Sequence, residues 1–292
     1  MKSVPPGVPV VVVDNASRDG SAAVARAAGA RVVEAGVNLG FGPACNLAAK
    51  EGAPSETIFF LNPDAALLDG AGALAALLAA LDEDPAVVAA APRLTGDGQE
   101  AFQLRRLPYL GAILREALLV DRLFPSNAGF RRDRYLDRPR DEAFDVEQPA
   151  AAAFLVRRAA FEAAGGFDPD FMPAWFEDVD LCAKLLERGG RIRYVPAAHA
   201  AHVGGVAMDA LSWRDFRPVY VRNQFRYLVR HASASVCAAA WAATALGAAM
   251  RLALAPVVRA GHSRRDVAAA QVRVLRGLFG FGWRSTLLPE SA

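Results

Sequence analysis

Thr57-Ile58-Phe59-Phe60-Leu61-Asn62-Pro63-Asp64 decides how the chain is read, because an apolar, β-prone run ends abruptly at turn chemistry and an acid. A run this short, bounded by Asn-Pro-Asp, predicts a buried strand with a carboxylate at its carboxyl end. Upstream, Val8-Pro9-Val10-Val11-Val12-Val13 reads the same way and ends at Asp14. Between these two runs the pattern predicts a short helix over Ser21 to Ala28, a strand over Ala30 to Glu34 and a helix over Gly42 to Gly52. Downstream it predicts an Ala/Leu helix over Gly70 to Leu81 and a strand over Ala86 to Ala91. Strands alternating with helices imply an α/β fold with a mainly parallel sheet. Ligands of such sheets bind beyond the carboxyl ends of the strands, where Asp14 and Asp64 fall.

Further along, Gln99 to Asp145 is charge-rich and irregular, and is expected to form a variable loop region over the site. Order resumes from Gln148 to Gly205. The pattern there predicts a strand over Ala152 to Val156, helices over Arg158 to Ala164 and about Phe176 to Arg188, and a strand over Arg191 to Val195. Past Gly205 the composition changes to that of long helices. The expected organisation is a catalytic-type domain over 1–205 and a basic helical tail over 206–292.

The 292 residues are 53% hydrophobic, enough for one large domain and an appendage. The 33 basic and 31 acidic residues nearly cancel but are unevenly spread. Twelve arginines face three acids from Ser212 to Ala292, a net of +9, which leaves −7 for the rest. That asymmetry fits an anionic partner such as lipid headgroups, and equally a solvated helical surface. With only Lys2, Lys50 and Lys184 as lysines, the arginine content reads as compositional bias, and no nucleic-acid partner is expected. Cys45, Cys182 and Cys237 are scattered, which points to a reducing compartment and away from a disulfide framework or thiolate metal site. The start, MKSVPPGVP, has proline where a signal peptide needs its apolar core.

Three constellations carry chemistry. Asp64 ends its strand with Asn62 two residues earlier on the same face, so an oxygen ligand for Mg²⁺ or Mn²⁺ against a diphosphate is one reading. A plain turn is the other. Glu177 and Asp178 open an amphipathic helix, where acids in the first turn suit the helix dipole. Their approach, Gly165 to Phe176, is rich in aromatics and turns, and a carboxylate beside an apolar wall can serve as a general base. Asp180 and Lys184 are expected to form an ordinary surface pair. His199 and His202 follow the last strand, and His202, just ahead of Gly204-Gly205, is the better candidate for a metal ligand.

In register, VVVDNASRDGS (Val11 to Ser21), NLGFGPACN (Asn38 to Asn46), FFLNPDA (Phe59 to Ala65) and the block from Ala152 to Gly205 resemble the family 2 glycosyltransferases. The likeness spans 195 residues and is strongest to the rhamnosyltransferase-like branch that builds bacterial surface polysaccharides. It implies a GT-A fold, a Rossmann-like mixed and mainly parallel sheet flanked by helices. It implies Asp14 on the donor's base or ribose, Asn38 and Gly40 in the donor loop, and Asn62 and Trp175 at the substrate. Asp64 would take the place of the metal-holding aspartate, with Asn62 where the family's first Asp stands, and His202 would complete the metal site. Asp178 would be the catalytic base and Glu177 its neighbour. The implied reaction is an inverting, Mg²⁺- or Mn²⁺-dependent transfer from a nucleotide-diphosphate sugar, such as dTDP-rhamnose or a UDP-sugar, to a glycan or lipid-linked glycan acceptor.

Relatives open with a further strand, a Tyr-Asn-like segment and a helix, about 30 residues or one βα step. Here that first β-α unit is expected to be missing, through a start codon placed too late or a shortened chain with impaired donor binding. A catalytically impaired membrane scaffold is the alternative function. A nucleotidyltransferase would need a Gly-rich phosphate loop at the first strand, which the sequence lacks. In the tail, Arg222, Arg226 and Arg230 form one helical stripe, and Ala232 to Met250 is 19 residues without a charge. Being mostly Ala, this run predicts a buried or interfacial helix rather than a crossing. Its flanking arginines fit an anionic inner-membrane surface, so the expected location is cytoplasmic and peripheral to that membrane.

Overall fold

The computed structural model describes residues 3–96, 102–203, 212–254 and 263–280. The Gly204-Gly205 pair and the chain beyond 280 lie outside the described residues. Two compact units are present: Met1–Leu107 with Arg134–Gly204, and Pro108–Asp133 with Gly205–Ala292.

In the first unit, β1 (Val11–Asp14) and β2 (Arg31–Glu34) pair in parallel, with α1 (Ser21–Ala27) between them and α2 (Phe41–Glu51) after. A six-stranded sheet follows the order β3 (Thr57–Leu61), β9 (Ala153–Arg157), β5 (Val87–Thr95), β10 (Arg191–His202), β4 (Ala65–Leu67), and β7 (Phe144–Val146) also pairs with β10. The sheet is mixed: β5 and β10 run parallel, while β3–β9, β5–β9, β4–β10 and β7–β10 are antiparallel. A separate ladder joins β6 (Leu104–Arg105) to β8 (Gln148–Pro149).

Period-two alternation gives the sheet two apolar faces. Ala89, Ala91, Phe154 and Val156 look to one side, where α7 (Arg158–Ala163), α8 (Glu177–Glu187) and α2 supply Phe161, Leu181, Leu185 and Ala49. Phe60, Phe161 and Phe167 meet there as a triangle of rings 5.1 to 5.7 Å apart. The other face, with Ala90, Leu94, Ala153 and Leu155, is covered by Leu77 and Leu81 of α3 (Gly70–Asp82). The Asp69 side chain caps α3 by accepting from Gly72 N.

Two expectations change on inspection. The last strand does not stop at Val195: its pairing with β5 shifts register between Val195 and His199, then resumes to Ala201, and the strand runs on to His202 against β4. Proline at 196 interrupts the ladder without ending it. Asp180 and Lys184 do pair, at 2.8 Å, but Asp180 is buried, and the ammonium that neutralises it also donates to the Gly166 carbonyl at 2.9 Å.

The second unit is helical. α4 (Leu110–Ala117), α5 (Val120–Leu123) and α6 (Ala128–Asp133) occupy the stretch expected to be irregular loop. They group with α9 (Trp213–His231), α10 (Ala234–Leu254) and α11 (Arg264–Leu278). Among the described residues α10 is the helix long and apolar enough to cross a membrane. Its small residues Ala240, Ala243, Thr244, Gly247 and Ala248 are buried, and a side chain at Gly247 would strike the Ala117 carbonyl. Arg251 donates to the carbonyls of Glu116 and Ala117 at 2.5 and 2.8 Å, satisfying the end of α4. The tail's arginine stripe is only partly solvated: Arg230 is exposed and Arg226 half-buried. Arg222 is buried beside Asn223, and burial first, then the nearby Arg226, lowers its guanidinium to about 10.

Candidate active site

The loops after β1 and β2 are tied together by Asn15, which sequence reasoning passed over. Its side-chain nitrogen donates to Asn38 Oδ1 at 3.0 Å and to the Gly40 carbonyl at 3.2 Å, and its oxygen accepts from Leu39 N at 2.7 Å. Asp14, at the end of β1, accepts from Ser17 N. Gly40 has φ 78° and sits where a Cβ would lie 2.6 Å from the Pro173 carbonyl, so both backbone and space demand glycine. Next to it, Phe41 N donates to that same carbonyl at 3.1 Å. The loop that follows β2 therefore rests on the segment that leads to the acids of α8.

That segment is fixed from two sides. Asn46 of α2 donates to the Phe167 carbonyl at 2.7 Å and accepts from Phe167 N at 2.9 Å. Trp175 and Phe176 then follow, both left-handed at φ 72° and 76°, a conformation that costs about 1–3 kcal/mol per residue and gathers at functional sites. The turn they make sends the two adjacent acids in opposite directions. Glu177 goes inward: it is buried against Gly42 and Cys45, and its Oε2 has no hydrogen-bond partner. Burial, reinforced by the Asp178 charge, holds its carboxyl well above the usual range. Burial, with Glu177 nearby, also pushes the Cys45 thiol up to about 12, so that thiol is not a nucleophile. Asp178 is only partly buried, and Gln148 Nε2 donates to its Oδ2 at 3.0 Å while Val179 N donates to Oδ1 at 2.8 Å.

Gln148 is 1% exposed and sits opposite Arg105 in the β6–β8 ladder, so both side chains leave the same face. Arg105 lies close enough to pull the Glu177 carboxyl back down, though burial wins. No sequence signal marks Gln148; only tertiary packing brings position 148 to 178.

After β3, Asn62 and Asp64 occupy a closed turn, with Asn62 N donating to the Ala152 carbonyl at 2.9 Å and Ala65 N donating to the Asn62 carbonyl at 3.0 Å. The turn and ligand readings are thus compatible. His202 pairs with Ala65 across the β4–β10 ladder, and its Nε2 stands 3.3 Å from Asp64 Oδ1. One carboxylate and one imidazole, converging from separate strands, suit a divalent cation that takes its other ligands from phosphate and water. Among the described residues no third acid, histidine or cysteine joins them.

Comparison with known proteins gives concordant findings. Residues 5–162 match the family described as Glycosyl transferase family 2. An N-acetylglucosaminyl-diphospho-decaprenol L-rhamnosyltransferase of Mycobacterium tuberculosis is 33% identical over 211 residues, which cover 67% of this chain and 66% of that relative. Rhamnosyltransferase WbbL of Escherichia coli is 36% identical over 85 residues, covering 29% of this chain and 31% of that protein. Among solved structures, a mannosyltransferase from Pyrobaculum calidifontis in complex with GDP-Man and Mn²⁺ aligns with a TM-score of 0.54. It is 20% identical, and the alignment covers 95% of this chain and 78% of that one. Chain and fold thus point the same way, to a GT-A sheet of the rhamnosyltransferase-like kind.

Proposed function

The chain belongs to glycosyl transferase family 2, and from that premise we propose that it transfers a sugar, with inversion, from a nucleotide-diphosphate donor to a lipid-linked glycan acceptor. The observation that carries this reading is the Asn15–Asn38–Gly40–Pro173 chain of contacts. It joins the ends of β1 and β2 to the turn that presents Asp178.

In this reading Asp14, Asn38 and Gly40 hold the nucleotide half of the donor, and Trp175 lines the sugar side. Gln148 and the Val179 N–H each hold one oxygen of the Asp178 carboxylate and so fix its orientation. Asp178 removes the proton from the acceptor hydroxyl as that oxygen bonds to the anomeric carbon and the bond to the nucleotide diphosphate breaks. A neutral hydroxyl is a poor nucleophile, so the base belongs in the displacement step. Glu177, buried and neutral, shapes the wall behind it. Asp64 and His202 would hold a divalent cation, Mg²⁺ or Mn²⁺, whose chemistry when bound is to neutralise charge on the departing diphosphate.

The mycobacterial relative, an N-acetylglucosaminyl-diphospho-decaprenol L-rhamnosyltransferase, makes a rhamnosyl donor and a polyprenyl diphosphate-linked acceptor the first to try. Such an acceptor lives in a membrane, which supports reading the protein as peripheral to one, on its cytoplasmic side. The test is a transfer assay with dTDP-rhamnose and UDP-sugars in turn, reading the product's anomeric configuration by NMR. Opposite configuration to the donor is expected, with activity lost in excess chelator and restored by Mg²⁺ or Mn²⁺. Retention of configuration would contradict the single displacement, and full turnover in chelator would remove the cation from the account.

A further inference from the structure

The corner between α4 and α6 holds its apolar side chains outward. Leu123 and Phe124 are 67% and 65% exposed, with exposed Leu118 and Pro125 beside them. This is not slack in the chain, because the inner side of the corner is closed by hydrogen bonds. Asn127 donates through its side chain and backbone to the Phe124 carbonyl at 2.7 and 3.0 Å, and its own oxygen accepts from Phe130 N. Asp121 accepts from Arg115 Nε at 3.2 Å and from Asn127 Nδ2 at 2.9 Å, and Asp133 is bonded to Arg115 as well. The two acids of the corner are therefore turned in on Arg115. Arg122, Arg131 and Arg132 are exposed, and Arg132 also donates to the Tyr109 hydroxyl at 3.2 Å and stands 3.9 Å from Asp133.

An apolar tip with a cationic flank is complementary to one kind of partner, an anionic lipid surface. Apolar side chains enter the acyl boundary there while guanidinium groups stay among the headgroups. Within the tail, Arg214, Arg230, Arg264, Arg265 and Arg276 are exposed as well, whereas others are enclosed. Arg222 is buried, Arg251 is spent on α4, Arg217 on Glu116 at 2.6 Å and Arg273 on Asp215 at 2.5 Å. We propose that the Leu118–Phe124 corner, flanked by Arg122, Arg131 and Arg132, is the element that inserts into an anionic membrane surface. This rests on the membrane-borne acceptor of the proposed function and names the surface that meets the membrane.

The test is flotation of the full chain with vesicles of equimolar phosphatidylglycerol and phosphatidylcholine, against phosphatidylcholine alone. Leu123→Ser/Phe124→Ser should cut partitioning by at least about tenfold, through lost apolar burial. Arg122→Gln/Arg131→Gln/Arg132→Gln should cut binding to anionic vesicles by about fivefold per arginine and leave a salt-independent remainder. Both variants should melt with the parent and turn over a water-soluble acceptor at its rate. If the parent floats and both variants float equally well, this corner is not the contact, although membrane association stands. If the parent never floats, the membrane-borne acceptor reading fails and the inference falls with it. If sedimentation instead shows a parent dimer that Leu123→Ser/Phe124→Ser dissociates, the corner is covered by a second copy and the lipid assignment is wrong.

Discussion

Asp178 and Glu177 are adjacent in sequence and opposite in environment, the first half-buried on Gln148 and the second enclosed against α2. An acidic pair opening a helix is legible from its aromatic, turn-rich approach; which acid faces outward depends on the left-handed pair Trp175-Phe176. Gln148 was invisible for the same reason, since a glutamine beside a proline carries no pattern. Two predictions follow from these positions. Replacing Gln148 with Glu sets a second negative charge beside Asp178, which disfavours its ionised form. The acid limb of the kcat/KM pH profile should move to higher pH, while Gln148→Ala should lower kcat about tenfold or more with donor KM little changed. An unmoved limb in Gln148→Glu would remove Asp178 from the proton transfer or Gln148 from its side. For Glu177 the direction is set by its raised value in the folded state. At low pH folded and unfolded chains both hold the proton. As pH rises the unfolded chain ionises first, so stability drains away until the folded state ionises too. Glu177→Gln should therefore gain melting temperature over the parent as pH rises from about 5 to about 8. A difference that is flat with pH would mean the carboxyl is not held neutral.

The elements of the first unit were legible where periodicity was clean, and less so where turns and tertiary pairing set the ends. β3 and α3 appear almost where their patterns predict. β4 was missed because Ala65-Ala66-Leu67 has no strand signal alone and is made by pairing with β10. That same pairing brings His202 to Asp64, so the candidate cation site depends on a strand too weak to read. In α2 the informative residue is Asn46, whose two hydrogen bonds fix the Phe167 turn. Asn46→Ala should destabilise the fold by about 1–3 kcal/mol, since two buried backbone groups lose their partner. It should also lower turnover, because Phe167 leads into the segment that carries Asp178. Loss of stability with unchanged turnover of the folded fraction would separate that turn from the site. The 99–145 stretch looked irregular because its helices are short, and short helices draw their stability from packing rather than propensity.

At the scale of the molecule, charge follows the two units: the helical unit, with Pro108–Asp133 included, carries +9 and the sheet unit −7. The imbalance was legible in the sequence, but its surface expression was not, since several tail arginines are enclosed while others, with Arg122, Arg131 and Arg132 of the earlier stretch, are exposed. Binding to anionic vesicles should accordingly weaken as salt rises, through screening. In the proposed function one fold divides the labour, with Asp64 serving the donor's diphosphate and Asp178 the acceptor's hydroxyl. The most direct measurement compares Asp178→Asn and Asp64→Asn in kcat and in metal-dependent donor binding, with Glu177→Gln as the neighbouring control. Asp178→Asn keeps the shape and its place beside Gln148 but cannot take a proton, so kcat should fall by orders of magnitude with donor affinity near that of the parent. Asp64→Asn should lose both, because a neutral amide is a poor ligand for a hard cation. An Asp178→Asn enzyme that keeps most of its turnover, or a Glu177→Gln enzyme that loses as much, would contradict the assignment of the base.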